Sequence, residues 1–265
     1  MTYTTVEVLS APTFQPVQMD PYRYGWRYVS HLLPDGTSVT DQVPLTLEQV
    51  LHPEEGDQVT HSDAHQRRRR YLCNVFEAQL TGQTDAVVLD DVRIAWDHPD
   101  LKPHGPDIAV ILGVRARRNW STFDVATEGV RPALIIEITS PETASIDRSS
   151  KLEEYDFAGV PLYVLVDTVT LRREPTLRLL AYTQTPGGYV VLPPDSSGRI
   201  WLEPVQLWLG IAAGEVVCYD GRGAALGDYR ELAASLAAER HALAQAEGRI
   251  QALEAEIARL RDDTR

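Results

Sequence analysis

Two short apolar runs near the middle of the chain each carry one acid. The run Ile108–Leu112 follows Asp107, and Pro106, which cannot donate to a sheet ladder, stands before that acid. The run 132–141 is apolar on both faces of a strand apart from Glu137, as in a strand that is covered on both sides. The pattern therefore predicts two strands, with Asp107 at the end of one and Glu137 inside the other.

A helix and a further buried strand are predicted next. The spacing of apolar residues after Ser145, a suitable N-cap, indicates a helix that Gly159 ends, and Leu162–Asp167 is a typical buried strand. A helix that connects two parallel strands of one sheet lies across that sheet. We therefore expect Lys151, on the helix, to lie over the strand that holds Glu137.

The remaining pattern completes an α/β core with a mixed sheet. Helices are expected at 46–51 and 61–80, strands at 85–89 and 92–96, and hairpins between 177 and 219. The two strands at 85–96 fit an antiparallel meander with the strand after Asp107. We predict a core over residues 46–225 with helices flanking a central mixed sheet, preceded by an arm, residues 1–45, that packs on the core.

Mainly apolar residues recur every seven positions in the last part of the chain, from Tyr229 to Leu260. One position of the repeat holds Tyr229, Leu236, Leu243, Ile250 and Ile257, and another holds Leu232, Glu239, Ala246, Leu253 and Leu260. Such a repeat is typical of a coiled coil, which we predict for residues 226–262. Glu239, Ala246 and Gly248 weaken its middle and leave open a single helix docked on the core. We expect a homo-oligomer, a dimer formed through this helix or through the core.

The charge and the cysteine content of the chain limit the partners and the cellular compartment that we expect. The formal net charge of −13 argues against binding to nucleic acid through bulk electrostatics, although basic clusters remain at Arg67–Arg70 and at Arg115, Arg117 and Arg118, the latter next to Trp120. The two cysteines are far apart and lack the spacing of metal ligands, which fits a reducing compartment. No signal peptide and no membrane-spanning run is recognisable. We therefore expect a cytoplasmic protein that does not bind membranes.

The acids and the lysine suggest a phosphodiesterase site. A divalent cation assists hydrolysis of a phosphodiester by neutralising charge and activating water, and carboxylates such as Asp107 and Glu137 suit Mg²⁺, with Mn²⁺ as the alternative. The backbone carbonyl of Ile138 is a further candidate ligand, and Lys151 is placed to orient the attacking water. The alternative is that the buried Glu137 pairs with a cation for structural reasons alone.

These residues resemble the Uma2 family of restriction endonucleases, in the PD-(D/E)xK superfamily. The resemblance rests on Pro106-Asp107, Glu137-Ile138-Thr139-Ser140-Pro141, Asp147, Lys151, Tyr155, Gly159-Val160 and Tyr163-Val164-Leu165-Val166-Asp167. It implies a restriction-endonuclease-like fold. The superfamily places its lysine two residues after the acid, where this chain has Thr139, and the family implies that Lys151 takes over that role.

The same resemblance gives a role to a histidine. His65 matches a histidine near the metal site of such proteins, which makes it an accessory catalytic residue, with a surface helix histidine as the alternative. His61, one turn earlier, is expected at the surface, and Asp147 and Tyr155 are expected to make ordinary helix contacts. The catalytic set predicted from the sequence is thus Asp107, Glu137, Lys151 and His65.

Two functions are consistent with these residues. The first is a Mg²⁺-dependent DNA endonuclease, with Asp107, Glu137 and Ile138 as metal ligands. The second is a catalytically silent protein that keeps the nuclease fold for binding and assembles through its C-terminal coiled coil. The net acidity of the chain favours the second, whereas the order of acid, acid and lysine favours the first.

Overall fold

The structure of the chain is a computed structural model that describes residues 20–139, 149–171 and 174–262. Its helices are α1 (Leu47–Leu51), α2 (Asp63–Gln79), α3 (Val125–Glu128), α4 (Ser150–Phe157) and α5 (Tyr229–Asp262). Its strands are β1 (Gly25–Leu32), β2 (Ser38–Pro44), β3 (Gln58–Val59), β4 (Ala86–Asp90), β5 (Arg93–Ala95), β6 (Ile108–Leu112), β7 (Thr122–Asp124), β8 (Pro132–Ile138), β9 (Leu162–Leu171), β10 (Glu174–Thr185), β11 (Gly188–Val191), β12 (Ile200–Leu202), β13 (Leu207–Ala212) and β14 (Glu215–Tyr219).

A six-stranded mixed sheet forms the centre of the larger compact unit, which holds residues 51–55 and those from 61 onward. Its strand order is β11-β10-β9-β8-β6-β4; β8 and β9 are parallel and the other neighbours are antiparallel. The helix α4 lies between β8 and β9 in the chain, which confirms the predicted strand, helix, strand crossover. The central mixed sheet is confirmed as well.

Alternation along the strands divides the core into two clusters. One face of the sheet carries Ile108 and Ile136, which pack with Leu72 of α2 and with residues of β12 and β13. The other face carries Ile135 and Leu165, which pack with α3, β5, β7 and the Tyr155 ring of α4. Consecutive strand residues point to opposite faces. The residue after Ile136, Glu137, is therefore directed to the face that α4 covers.

The predicted meander is wrong. The strand β4 pairs with β6 in the central sheet, but β5 leaves it and pairs in parallel with β7. Asp91, between β4 and β5, has a φ of 58°, which turns the chain away from the direction of β4. The apolar side chain of Ile94 is buried on the face covered by α4, so the pattern correctly indicated burial but not the pairing partner.

The other unit holds the described residues 20–50 and 56–60. In it β1 pairs with β2 and β3 in an antiparallel three-stranded sheet. The packing of the predicted arm, residues 1–45, on the core stays a prediction, as do the predicted domain boundaries. The proposed N-cap Ser145 and the residue Asp147 lie outside the described residues.

The helix α5 spans 34 residues. Its described side chains, residues 232–254, 259 and 260, are all exposed. The long C-terminal helix is thus as predicted, and within this described part no face of it packs on the core, contrary to the alternative of a docked helix. Among the described helices none is long and apolar enough to cross a membrane.

Candidate active site

Glu137 is a buried acid with two partners on α4. It lies in β8, the Lys151 ammonium nitrogen is 3.0 Å from Glu137 Oε1, and the Tyr155 hydroxyl donates to the same oxygen at 2.8 Å. Both Lys151 and Glu137 are buried. The lysine thus faces the sheet, as the crossover predicted, and its charge compensates an acid that could not otherwise remain ionised there.

Asp107 stands at the entrance to β6 and is held from two sides. The backbone N–H of Ile138 donates to Asp107 Oδ2 at 2.8 Å, and His65 Nε2 lies 3.0 Å from the same oxygen. Burial raises the pKa of Asp107, but the hydrogen bond from His65, the positive charges of His65 and His61, and the Ile138 N–H together outweigh it and hold the pKa below its ordinary value.

The register of the sheet puts the two acids on one face. Ile108 of β6 is opposite Ile136 of β8, and extending this antiparallel register by one residue sets Asp107 opposite Glu137. Residues directly opposite each other in an antiparallel pair project to the same side. The two acids therefore share the sheet end that Lys151 approaches from α4.

His65 lies beside Asp107, and its position depends on a helix cap. Ser62 Oγ accepts the backbone N–H of His65 at 3.2 Å, which fixes the first turn of α2. The His61 ring stacks on the His65 ring, with 4.2 Å between centroids and 5° between planes. His61 is half-buried, so the expectation of a surface histidine is wrong. The sequence signal for this contact was the four-residue spacing of His61 and His65, with the capping Ser62 between them.

A known family model covers the region that holds these residues. The model of the Uma2 family, described as "Putative restriction endonuclease", matches residues 56–212. The chain belongs to the Uma2 family. No curated protein matches the chain.

A solved structure is also similar to this Uma2 chain. It is a crystal structure from Anabaena variabilis, described as a "putative nuclease belonging to DUF820". The two chains are 17% identical, the alignment covers 56% of the Uma2 chain and 79% of the other chain, and the TM-score is 0.39.

A further buried acid beside these residues was not predicted as a site residue of this Uma2 protein. Asp167, at the same end of the sheet, accepts the Thr139 hydroxyl at 2.8 Å and the Arg178 Nε–H at 2.6 Å. Thr139, two residues after Glu137, serves here as a hydrogen-bond partner of Asp167. The sequence signal was an acid next to an apolar run, since Asp167 follows the run 162–166 as Asp107 precedes the run 108–112.

A buried histidine anchors the helix that carries Lys151. Trp96 Nε1–H donates to His104 Nδ1 at 2.7 Å, so the neutral ring keeps its proton on Nε2, which contacts the Glu154 carboxylate of α4. Burial lowers the pKa of His104 despite this acid. His52 completes a group that could hold a cation, but the Trp96 hydrogen bond stabilises the tautomer with a protonated Nε2. We therefore assign His104 a structural role.

The basic clusters mostly meet acids of the same chain. Within the Arg67–Arg70 run, Arg67 pairs with Asp63, Arg68 with Glu215 and Arg69 with Asp91 and Asp107. In the other cluster, Trp120 Nε1–H donates to the buried Glu128, near which Arg118 also lies. These contacts support a structural role for most of the basic side chains in the two clusters.

Proposed function

We propose that this Uma2 protein is a Mg²⁺-dependent endonuclease that hydrolyses phosphodiester bonds of DNA. The observation that carries the proposal is the ion pair of Lys151 and Glu137 on the sheet face to which the register also assigns Asp107. Two acids that can hold a divalent cation, beside a lysine that can orient water, suit metal-assisted phosphodiester hydrolysis.

The donor atoms fit a hard divalent cation. Carboxylate oxygens are preferred Mg²⁺ ligands, and Mn²⁺ accepts the same set. Asp107 uses Oδ2 for both His65 and Ile138, while Oδ1 lies 4.0 Å from Arg69, beyond hydrogen-bond distance. Asp107 and Glu137 would hold the ion, and the carbonyl of Ile138 is proposed as a further ligand. Mg²⁺, when bound, neutralises phosphate charge and activates water.

The side chains of the site divide the remaining tasks. The Lys151 ammonium orients the attacking water and stabilises the negative charge that develops on the phosphate oxygens. Tyr155, by donating to Glu137, fixes the rotamer of that acid. His65 holds Asp107 in place through the 3.0 Å contact, which makes it the accessory group of the site.

Cleavage of supercoiled plasmid and of single-stranded DNA tests the proposal. Wild-type protein with Mg²⁺ or Mn²⁺ should cleave, and Glu137→Gln and Lys151→Met should each lower the rate by about 10²-fold or more. The control is Lys102→Met, because Lys102 is exposed and outside the site. Wild-type protein that leaves both substrates intact, or variants that cleave at the wild-type rate, would overturn the proposal.

The apolar positions of the seven-residue repeat in α5, which we call its seam, favour a second candidate function. This function is assembly with a second copy of the chain. Leu236, Leu243, Ile250, Leu253 and Leu260 are 47% to 61% exposed, although they follow the seven-residue repeat. In a parallel pair the flanking charges of the repeat are complementary, since Arg249 of one copy would lie beside Glu254 of the other. We propose a homodimer formed through this helix.

One experiment distinguishes the two functions, namely measuring DNA cleavage and mass in solution for the same variants. If the fold serves only for assembly, Asp107→Ala and Glu137→Ala leave the mass of the protein in solution unchanged, and neither the wild type nor the variants cleave DNA. If the fold serves catalysis, the same two variants lose cleavage while the mass stays that of the wild type.

A further inference from the structure

His104 lies where the segment that leads to Asp107 meets the helix that carries Lys151. Its side chain is fully buried. The backbone N–H of His104 donates to the Ile94 carbonyl at 3.0 Å, and its carbonyl accepts the Ile94 N–H at 2.7 Å, so β5 holds its backbone. The ring reaches in the other direction and contacts the Glu154 carboxylate of α4. His104 thus connects the core to two segments that carry site residues.

Both ring nitrogens of His104 have a defined partner. Trp96 Nε1–H donates to Nδ1 at 2.7 Å, and because an indole N–H can only donate, the imidazole proton lies on Nε2. Burial lowers the pKa of His104, and the hydrogen bond from His104 lowers the pKa of Glu154. A neutral imidazole that donates to a carboxylate agrees with both directions. The ring therefore has one orientation, which restricts where Glu154 can lie.

The position of α4 depends on contacts of this kind. A helix of eight residues is not stable by itself, so its contacts with the rest of the protein decide where it lies. Glu154 follows Lys151 by three residues, which places the two side chains on the same side of one helical turn. The contact between His104 and Glu154 therefore holds the turn that carries the lysine.

The ring of His104 also packs on Tyr155, with 4.9 Å between the ring centroids. The Tyr155 hydroxyl donates to Glu137 Oε1 at 2.8 Å, and the Lys151 ammonium lies 3.0 Å from the same oxygen. His104 thus restrains both groups that contact the acid. It restrains Tyr155 by ring packing and Lys151 by holding α4.

The link from His104 to Asp107 is short and stiff. Two residues separate them, and the ring of Pro106 fixes its own φ. At the other one, Gly105, a Cβ would lie 2.9 Å from the side chain of Pro53, so the backbone passes close to that ring. The position of His104 therefore restrains Asp107 as well.

We propose that His104 is a positioning residue of the nuclease site and sets the Lys151 ammonium relative to Asp107. It acts through Glu154 and Tyr155 of α4 and not by contact with the substrate. The inference rests on the proposed function, because it concerns the geometry of the same site. A displacement of about 1 Å at a catalytic group can lower a rate by about 10²-fold, so a loose α4 would impair cleavage.

The ammonium of Lys151 can be observed directly, because the chain contains two lysines and the other one, Lys102, is exposed. In the full-length protein with ¹⁵N-labelled lysine, NMR should show one ammonium that exchanges slowly with water. Lys151→Met should remove this signal. An ammonium of Lys151 that exchanges as fast as that of Lys102 would overturn the proposal.

Variants of Glu154 separate the hydrogen bond from the charge. Glu154→Ala should speed the exchange of the Lys151 ammonium by about tenfold or more, the factor of one hydrogen bond to a charged group, since the ion pair then opens more often. Glu154→Gln, whose amide oxygen still accepts the His104 proton, should keep the wild-type rate. Glu154→Asp keeps the charge but is too short, and it should resemble Glu154→Ala. Glu153→Ala, an exposed neighbour, is the matched control.

Cleavage of DNA gives a second measurement. Glu154→Ala and Glu154→Asp should lower kcat by about 10²-fold and leave KM unchanged, because the lysine is displaced and the DNA contacts are not. Glu154→Gln should retain most of kcat. A fold weakened in general would instead follow the thermal midpoint of each variant, which is measured in parallel.

The outcomes distinguish this proposal from the nuclease. Unchanged ammonium exchange in a folded Glu154→Ala or Glu154→Asp protein, or equally fast exchange in Glu154→Gln, overturns the positioning role. If Glu154→Ala does not fold, Glu154→Asp decides. Faster exchange in these variants of a protein that cleaves no DNA upholds the positioning of Lys151 and overturns the nuclease.

Discussion

At the scale of single residues, the site depends on buried charges that compensate one another. Glu137 is buried in a strand, and its carboxylate meets Lys151 at 3.0 Å. An ion pair of this kind adds little net stability, but loss of one partner leaves an uncompensated charge in a medium of low dielectric. The pair therefore makes the geometry of the site sensitive to either residue.

Replacing Lys151 by methionine should lower the free energy of unfolding by about 3 kcal/mol, because Glu137 then stays buried without its cation. Chemical denaturation at pH 7 measures the change, with Lys102→Met as the exposed control. In the double variant Glu137→Gln with Lys151→Met most of the loss should be recovered. A double variant as unstable as the single one would contradict this explanation.

Asp107 should make the protein sensitive to acid. Its folded-state pKa lies below the ordinary value of 3.8, so near that value the unfolded chain binds more protons than the folded one. The stabilisation by Asp107 is therefore present above pH 3.8 and lost as the pH falls through the folded-state pKa. The difference in unfolding free energy between wild type and Asp107→Asn, measured from pH 5 to pH 2.5, should shrink with acid. A difference in unfolding free energy that stays constant with pH would contradict this role of Asp107.

The sequence predicted that Asp107, Glu137 and Lys151 come together but not the contacts that their neighbours make. Strand alternation and the crossover rule were enough to bring Asp107, Glu137 and Lys151 to one face of the sheet. The stacking of His61 and the hydrogen bond from Tyr155 depend on the rotation of two helices about their axes. A local pattern does not specify that rotation, because both side chains also suit a solvent-facing position.

At the scale of elements, the strand, helix and strand unit of β8, α4 and β9 was predictable, and the pairing of β5 was not. The unit has long apolar strands and a helix with a glycine stop, so local and tertiary preferences agree. The strand β5 has three residues, and its pairing with β7 is decided by the burial of Ile94 and Phe123. Such a pairing depends on residues distant in the chain.

Gly159 ends the helix that carries Lys151, and it should not tolerate a side chain. Its φ is +74°, and a Cβ there would lie 2.8 Å from Arg131 Nη1. Gly159→Ala should therefore lower the free energy of unfolding by about 1–2 kcal/mol. Gly187→Ala is the control, since its nearest neighbour would be 3.9 Å away. Equal denaturation midpoints for the two variants would exclude this role of Gly159.

At the scale of the whole molecule, our proposals rest on three findings. Membership of the Uma2 family and the mixed sheet support the nuclease function, and the long exposed helix supports assembly with a second copy. The seven-residue repeat predicted the length of α5, because helical periodicity is local. The sequence does not determine whether α5 pairs with another helix, since Glu239 and Ala246 interrupt the apolar positions of the repeat and any partner would be a separate chain.

If α5 pairs with a second copy, charges on its seam should separate the copies without unfolding the core. The double variant Leu243→Asp with Leu253→Asp should sediment as a monomer at concentrations at which the wild type is a dimer, with an unchanged thermal midpoint for the core. Ala244→Asp, exposed and off the seam, should remain dimeric. A monomeric wild type, or a dimeric seam variant, would exclude pairing through the helix.

The most direct test of the proposed site is the anomalous scattering of crystals soaked in Mn²⁺. We predict an ion bound at roughly 2.1 Å by an oxygen of Asp107 and by an oxygen of Glu137, with the Lys151 ammonium beside it. Ordered carboxylates with no ion between them, or an ion that reaches neither acid, would contradict the account.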